Sequence, residues 1–228
     1  MVFAVIAAGG IGSRMGADMP KQYITIGSKT IIAHTVESFF NNSRIDKVIV
    51  LCPEDWVDYT QKIFTDTDVV VISGGDTRNE TLMKAIDYIE ENYGLNDETY
   101  LVTHDAVRPF VTQKIIDDNI DTMLKYGATG TVIPATDTIF QSIKGEIIDS
   151  IPDRSELYQA QTPQCFKAIT LRELYNNLTD EEKDILTDGC KIYLLKGHNV
   201  HLVPGHVSNI KITYPHDLIV AEAILSQK

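Results

Sequence analysis

The 228-residue sequence carries a formal net charge of -12, with hydrophobic and charged fractions of 43% and 23%, as expected of a soluble globular chain forming one domain, residues 1–228. Such an acidic balance argues against general nucleic-acid or membrane-surface binding. No apolar run is long enough for a bilayer, and the first strand lacks the flanks of a signal segment, so a cytoplasmic setting is expected.

Val2 to Ala7 is apolar without alternation and reads as a buried strand. Gly9, Gly10 and Gly12 follow at once, then Arg14 and Lys21. Such glycines let backbone N–H groups approach a ligand, and with two cations they suit a polyphosphate. Glycines alone are also compatible with an ordinary strand-to-helix turn. The loop is neither a Walker A motif, which ends in Gly-Lys-Ser/Thr, nor a dinucleotide fingerprint, because Gly16 falls one residue late.

Strand and helix patterns then alternate. Thr30 to Phe40 has a helical apolar stripe, Lys47 to Cys52 reads as a strand, and Pro53-Glu54-Asp55 opens a helix through Phe64. Asp68 to Ser73 is a strand ending at Gly74-Gly75, with a helix over about Asn79 to Glu91. Thr99 to Thr103 (strand), Thr112 to Tyr126 (helix) and Thr129 to Pro134 (strand) follow. This alternation predicts an α/β fold, a mostly parallel sheet covered by helices on both faces. Ligands of such sheets sit beyond the carboxyl ends of the strands.

The residues at those ends are chemically coherent. Gly74-Gly75-Asp76-Thr77-Arg78 follows the third strand, and His104-Asp105-Ala106-Val107-Arg108-Pro109 follows the fourth. Carboxylate plus arginine is compatible with a plain ion pair. Beside a polyphosphate loop, Asp105 could instead hold Mg²⁺, which takes one or two carboxylates and completes its shell with phosphate and water. His104 reads as a packed or hydrogen-bonded histidine. Cys52, Cys165 and Cys190 lack a C-x-x-C pair, and His198 and His201 lack a third ligand, so neither a disulfide framework nor a zinc site is indicated.

Five blocks in order, Ala7 to Gly16 with Pro20-Lys21-Gln22, Gly74 to Arg78, His104 to Pro109, Gln161-Thr162-Pro163-Gln164 and Asn209-Ile210-Lys211-Ile212-Thr213, resemble the cytidylyltransferases of sugar-alcohol phosphates. The resemblance runs from Met1 to the last helix. It implies a Rossmann-like, glycosyltransferase-A-like nucleotidyltransferase fold and a reaction of CTP with a polyol phosphate, giving a CDP-polyol and pyrophosphate. It implies CTP binding by Ala7, Ala8, Gly9, Gly10, Gly12, Gly75, Asp76, Arg78, Thr81 and Ala106. Arg14, Lys21, Arg154 and Lys211 would be catalytic, and Asp105 would hold Mg²⁺. Acceptor contacts would come from Arg108, Thr138, Arg154, Thr162 and Lys211.

Asp137 to Phe140 and Ile147 to Ile151 read as two strands joined at Lys144-Gly145-Glu146. In the family this hairpin, residues 135–155, is an arm embracing a second subunit, which implies a homodimer; a hairpin without a partner is the plainer alternative. Thr179 reads as the N-cap of a helix from Asp180, after another over Ala168 to Asn177, and the chain closes on a helix within Tyr214 to Gln227. The methylerythritol phosphate members usually have alanine where Val107 stands and tryptophan in the block holding Leu157-Tyr158. With Thr187-Asp188-Gly189-Cys190-Lys191, these variants look like the ribitol-phosphate branch, whose product supplies teichoic-acid or capsule-type polymers. Gly189 departs from that branch's usual alanine.

Overall fold

The computed structural model describes residues 1–10, 16 and 19–227; Gly12 and Arg14 lie outside the described residues. Strand β1 (Val2–Ala7) enters the middle of a seven-stranded sheet. A short antiparallel ribbon, β2 (Thr25–Ile26) with β3 (Lys29–Thr30), leads into α1 (Ile31–Phe40), whose first turn is capped by the Thr30 side chain. Then come β4 (Lys47–Cys52), α2 (Val57–Ile63), β5 (Val70–Ser73), α3 (Arg78–Tyr93), β6 (Tyr100–Asp105), α4 (Gln113–Tyr126) and β7 (Ala128–Pro134). The second half adds β8 (Tyr158–Lys167), α5 (Ala168–Asn176), α6 (Asp180–Asp184), α7 (Gly189–Leu195), β9 (His201–Pro204) and α8 (Pro215–Leu225).

The strand order is β5-β4-β1-β6-β8-β7-β9. Every pairing is parallel except the two made by β8, which runs against β6 and β7. Successive strand residues face opposite sides of a sheet, so β1 feeds two cores. Ala4 and Ile6 pack with Val36 and Phe39 of α1 and Ile116 of α4. Phe3 and Val5 pack with Leu82 and Ile86 of α3, Leu171 of α5 and Ile192 of α7. A central strand apolar on both faces shows no alternation, which is why Val2 to Ala7 was legible as buried.

Two expectations need correcting, and one strand was not expected at all. The helix expected from Pro53 through Phe64 is a 3₁₀ turn, Glu54–Trp56, running into the shorter α2. Strand β8 was unforeseen, because its polar residues and Pro163 mask its pattern. The expected arm hairpin is tied by a single antiparallel bridge, Gln141 to Ser150, rather than by two paired strands. Ile143, Ile147, Ile148 and Ile151 along it are strongly exposed.

The packing also accounts for Gly189. A Cβ there would lie 2.8 Å from the fully buried Phe166 ring. An alanine would therefore have to push that ring aside, and this chain's glycine goes with a ring seated closely over α7.

Candidate active site

Three loops meet beyond the carboxyl ends of the strands and enclose a cleft of about 270 Å³. The end of β1 supplies Ala7 to Gly10, with Lys21 and Gln22 from the turn that follows. The Ala8 N–H donates to Leu51 O at 2.8 Å, and Ala7 O accepts from the Ala106 N–H at 3.0 Å, so β1 stays paired to its last residue. The buried Gln22 amide donates to Ala8 O at 2.5 Å, fixing where the chain leaves the sheet.

The second loop runs Gly75 to Arg78. Thr77 caps α3 and forms a capping box with Glu80. The Gly75 N–H donates to Thr81 Oγ1 at 3.0 Å, and Lys84 Nζ donates to Gly74 O at 2.6 Å. A Cβ on Gly75 would come within 2.5 Å of Glu80 Cβ, so only glycine lets the loop lie this close to the helix. Thr81, expected at the nucleotide, lines the cleft with its hydroxyl already holding the loop. Gly75, Asp76, Arg78 and Ala106 line it as expected.

Asp105, at the end of β6, is the electrostatic centre. Its carboxylate accepts from Arg78 Nη1 at the start of α3, from Arg108 Nε at 3.1 Å, and lies 3.1 Å from Lys211 Nζ. Burial alone would push this carboxyl up. Arg78, Lys211 and Arg108 together reverse that and hold it well below the usual carboxylate range. Arg78 and Lys211 line the cleft together with Lys21, so cations from three segments face any ligand, with the buried Asp105 carboxylate behind two of them.

The Mg²⁺ implied by the resemblance does not fit Asp105 as it stands. Both of its oxygens are already held by cations.

Two residues expected at the acceptor have partners within the protein. Arg108 does not line the cleft. It is buried, and its guanidinium donates to Asn209 O at 2.9 Å and Ala160 O at 3.4 Å besides Asp105, joining the segment of Lys211 to β6 and β8. Thr162 is likewise internal. Arg108 O can only accept, so His104 Nε2 carries the proton donated to it at 3.1 Å. Neutral Nδ1 then accepts from Thr162 Oγ1 at 2.9 Å, and that oxygen accepts the Asp105 N–H at 3.1 Å. The Thr162 hydroxyl proton is thus already placed. His104 is the hydrogen-bonded strand-end histidine expected from sequence.

Thr138 and Arg154 are exposed, on or next to the arm. Neither lines the cleft, and the Arg154 guanidinium donates to Thr136 O at 2.8 Å. Gln22 and Thr77 line the cleft without having been expected at the ligand, and so does Val107, noted in the sequence only as a mark of the branch. Thr77 left a further sequence signal, the T-x-x-E spacing to Glu80.

Burial pushes the His104 imidazole down to about 4, outweighing its bond to Arg108 O and the nearby Asp105 charge. The unfolded chain binds this proton below about pH 6.5 and the folded chain does not until about 4, so stability falls as pH drops through that window. Urea melts at pH 7 and 4.5 are expected to differ by an amount on the order of 2–3 kcal/mol from this group. His104→Gln flattens that slope; an unchanged slope would count against a neutral buried ring.

A family model described as 2-C-methyl-D-erythritol 4-phosphate cytidylyltransferase matches residues 2–227. A ribitol-5-phosphate cytidylyltransferase from Lactiplantibacillus plantarum is 49% identical over 233 residues, covering 100% of both chains. Among solved structures, the 4-diphosphocytidyl-2C-methyl-D-erythritol synthase of Anaerococcus prevotii superposes with a TM-score of 0.82 at 25% identity, covering 99% of this chain and 96% of that one. The Francisella tularensis 2-C-methyl-D-erythritol 4-phosphate cytidylyltransferase gives 0.81 at 27%, covering 97% and 98%. Matched from end to end by the family model and by a relative of this identity, the chain belongs to the 2-C-methyl-D-erythritol 4-phosphate cytidylyltransferase family, whose members are nucleotidyltransferases.

Proposed function

We propose that this chain transfers the cytidylyl group of CTP to D-ribitol 5-phosphate, giving CDP-ribitol and pyrophosphate. The observation that carries the acceptor is the 49% full-length identity to a ribitol-5-phosphate cytidylyltransferase, against 25–29% for the methylerythritol synthase and cytidylyltransferase structures of similar fold and coverage. Val107, one of the residues that marked this branch in the sequence, lies in the cleft wall.

In this reading the acceptor phosphate oxygen attacks the α-phosphorus of CTP in line. A new P–O bond forms, the bond to the bridging oxygen breaks, and that oxygen leaves with pyrophosphate. The chain contributes position and charge. Backbone at Ala7 to Gly10 receives the triphosphate, and Gly75 to Arg78 with Thr81 and Ala106 receives ribose and base. Lys21, Lys211 and Arg14 neutralise the two phosphates that must meet. Asp105 keeps Arg78 and Lys211 poised at the cleft wall, and Mg²⁺ bound to the triphosphate would supply further charge neutralisation there.

Arg154 and Thr138 belong to this reading as contacts brought by the arm of a second copy; the exposed isoleucines of residues 143–151 support a homodimer. The setting proposed is the cytoplasm, where CTP is available, upstream of a ribitol-phosphate polymer. Among the described residues no helix is long and apolar enough to cross a membrane.

The test is pyrophosphate release from CTP and Mg²⁺ with ribitol 5-phosphate or 2-C-methyl-D-erythritol 4-phosphate offered separately. Faster release with ribitol 5-phosphate is expected. Preference for the methylerythritol ester would move the chain to the other branch.

A further inference from the structure

Lys211 belongs to no helix or strand. The chain leaves β9 at Pro204 and enters α8 only at Pro215, and between them it must carry one ammonium to the cleft wall beside Asp105. A lysine is a point charge on a flexible stem, so where its nitrogen stands depends on how firmly the backbone beneath it is held.

Two side-chain amides hold that backbone. Gln161 of β8 is buried and meets His206 with both ends of its amide: Nε2 donates to His206 O at 2.9 Å, and Oε1 accepts the His206 N–H at 3.4 Å. Gly205 permits this approach, since a Cβ there would stand 2.3 Å from Gln161 Oε1. Asn209, fully buried, reaches back toward β8. Its Nδ2 donates to Thr162 O at 2.8 Å and to Gln161 Oε1 at 3.2 Å, while its own carbonyl accepts from Arg108 Nη1 at 2.9 Å. Three residues on, the buried Ile212 donates its N–H to Val107 O at 2.9 Å. Lys211 therefore stands between two anchored residues.

Thr162 connects this clamp to the cleft. Its carbonyl receives Asn209 and its hydroxyl oxygen receives the Asp105 N–H at 3.1 Å, so one residue of β8 sets the place of both members of the Asp105–Lys211 pair. Turning either amide over would set donors against donors or oxygens against oxygens, so the network has one arrangement. Apolar side chains could fill the same space, but a satisfied buried network fixes direction as well as volume. We propose that Asn209 and Gln161 are positioning residues for cytidylyl transfer, holding the backbone of Lys211 so that its ammonium meets the reacting phosphates. The proposal rests on the reading that Lys211 acts in the transfer step.

A double-mutant cycle tests it, read as pyrophosphate release from CTP, Mg²⁺ and ribitol 5-phosphate. Asn209→Ala is expected to lower kcat by roughly 10–10²-fold with a smaller change in KM, the scale of loss when a reacting group is displaced by about 1 Å. Added to Lys211→Ala, it should lower kcat by less than about twofold further, because no ammonium is left to misplace. Gln161→Leu, which keeps the Asn209 bond to Thr162 O, should show the same pattern more weakly and serves if Asn209→Ala folds poorly. Amide hydrogen exchange reads the clamp without turnover: the Ile212 N–H should exchange faster in Asn209→Ala while Val102 in β6 keeps its protection. Equal losses of kcat from Asn209→Ala in both backgrounds, or unchanged exchange at Ile212, overturn the proposal and leave Lys211 in its role. Lys211→Ala with kcat within a few fold of wild type instead overturns the reading beneath it, and the proposal with it.

Discussion

Asp105→Asn is expected to lower folding stability by about 3–5 kcal/mol, the usual consequence of removing one partner of a buried ion pair. The isosteric amide keeps the volume at the end of β6 but removes the charge that Arg78, Arg108 and Lys211 share. Lys211, whose side chain is 41% exposed, can turn toward water. Arg108 cannot, because Asn209 O and Ala160 O hold it in place. The difference from wild type should be complete at pH 7. The folded carboxyl is held low, so its contribution is present above the unfolded value of about 3.9 and is lost only as pH falls below it. Urea melts of both proteins at pH 7 and pH 3 measure this, and equal midpoints at pH 7 would mean the cations do not depend on Asp105. Turnover should fall as well, since Arg78 and Lys211 lose the group that aims them.

What the sequence made legible was the frame and the kinds of residue at the strand ends. β1 and β4 are apolar on both faces, the loops after β1 and β5 carry glycine and charge, and β6 ends in Asp105 with Arg108 just beyond, so the place of the cleft followed from the fold class. The direction of each side chain did not. Arg108 and Thr162 sit in blocks that bind ligand in the resemblance, yet here one joins β6 to β8 and the segment of Lys211, and the other completes the His104 network. Nothing in a run such as His-Asp-Ala-Val-Arg-Pro tells which of its polar groups faces inward. β8 was hidden for a related reason. Gln161, Thr162 and Gln164 are polar yet buried, hydrogen-bonded to Asn209, His104 and Asp188 respectively, so burial along that strand leaves no hydrophobic pattern.

Lys211→Ala carries the other large effect, and it should appear in turnover rather than in folding. The ammonium pairs with Asp105 at 3.1 Å, and removing it leaves that carboxylate still paired with Arg78 and Arg108. Stability is therefore expected to change by no more than about 1 kcal/mol, the scale of a partly exposed pair. During transfer two anionic phosphates must come together, and charge builds on the oxygens between them. A cation fixed at the cleft wall matters more to that arrangement than to either separate substrate, so its loss should lower kcat by roughly 10²–10³-fold with a smaller change in KM. Lys211→Arg should recover only part of the rate, because a planar fork on a longer stem cannot occupy the point that the ammonium holds beside Asp105. Steady-state pyrophosphate release with ribitol 5-phosphate, at saturating CTP, separates the two parameters. A Lys211→Ala enzyme with kcat within a few fold of wild type would remove Lys211 from the chemical step and leave Lys21 and Arg14 to neutralise the meeting phosphates.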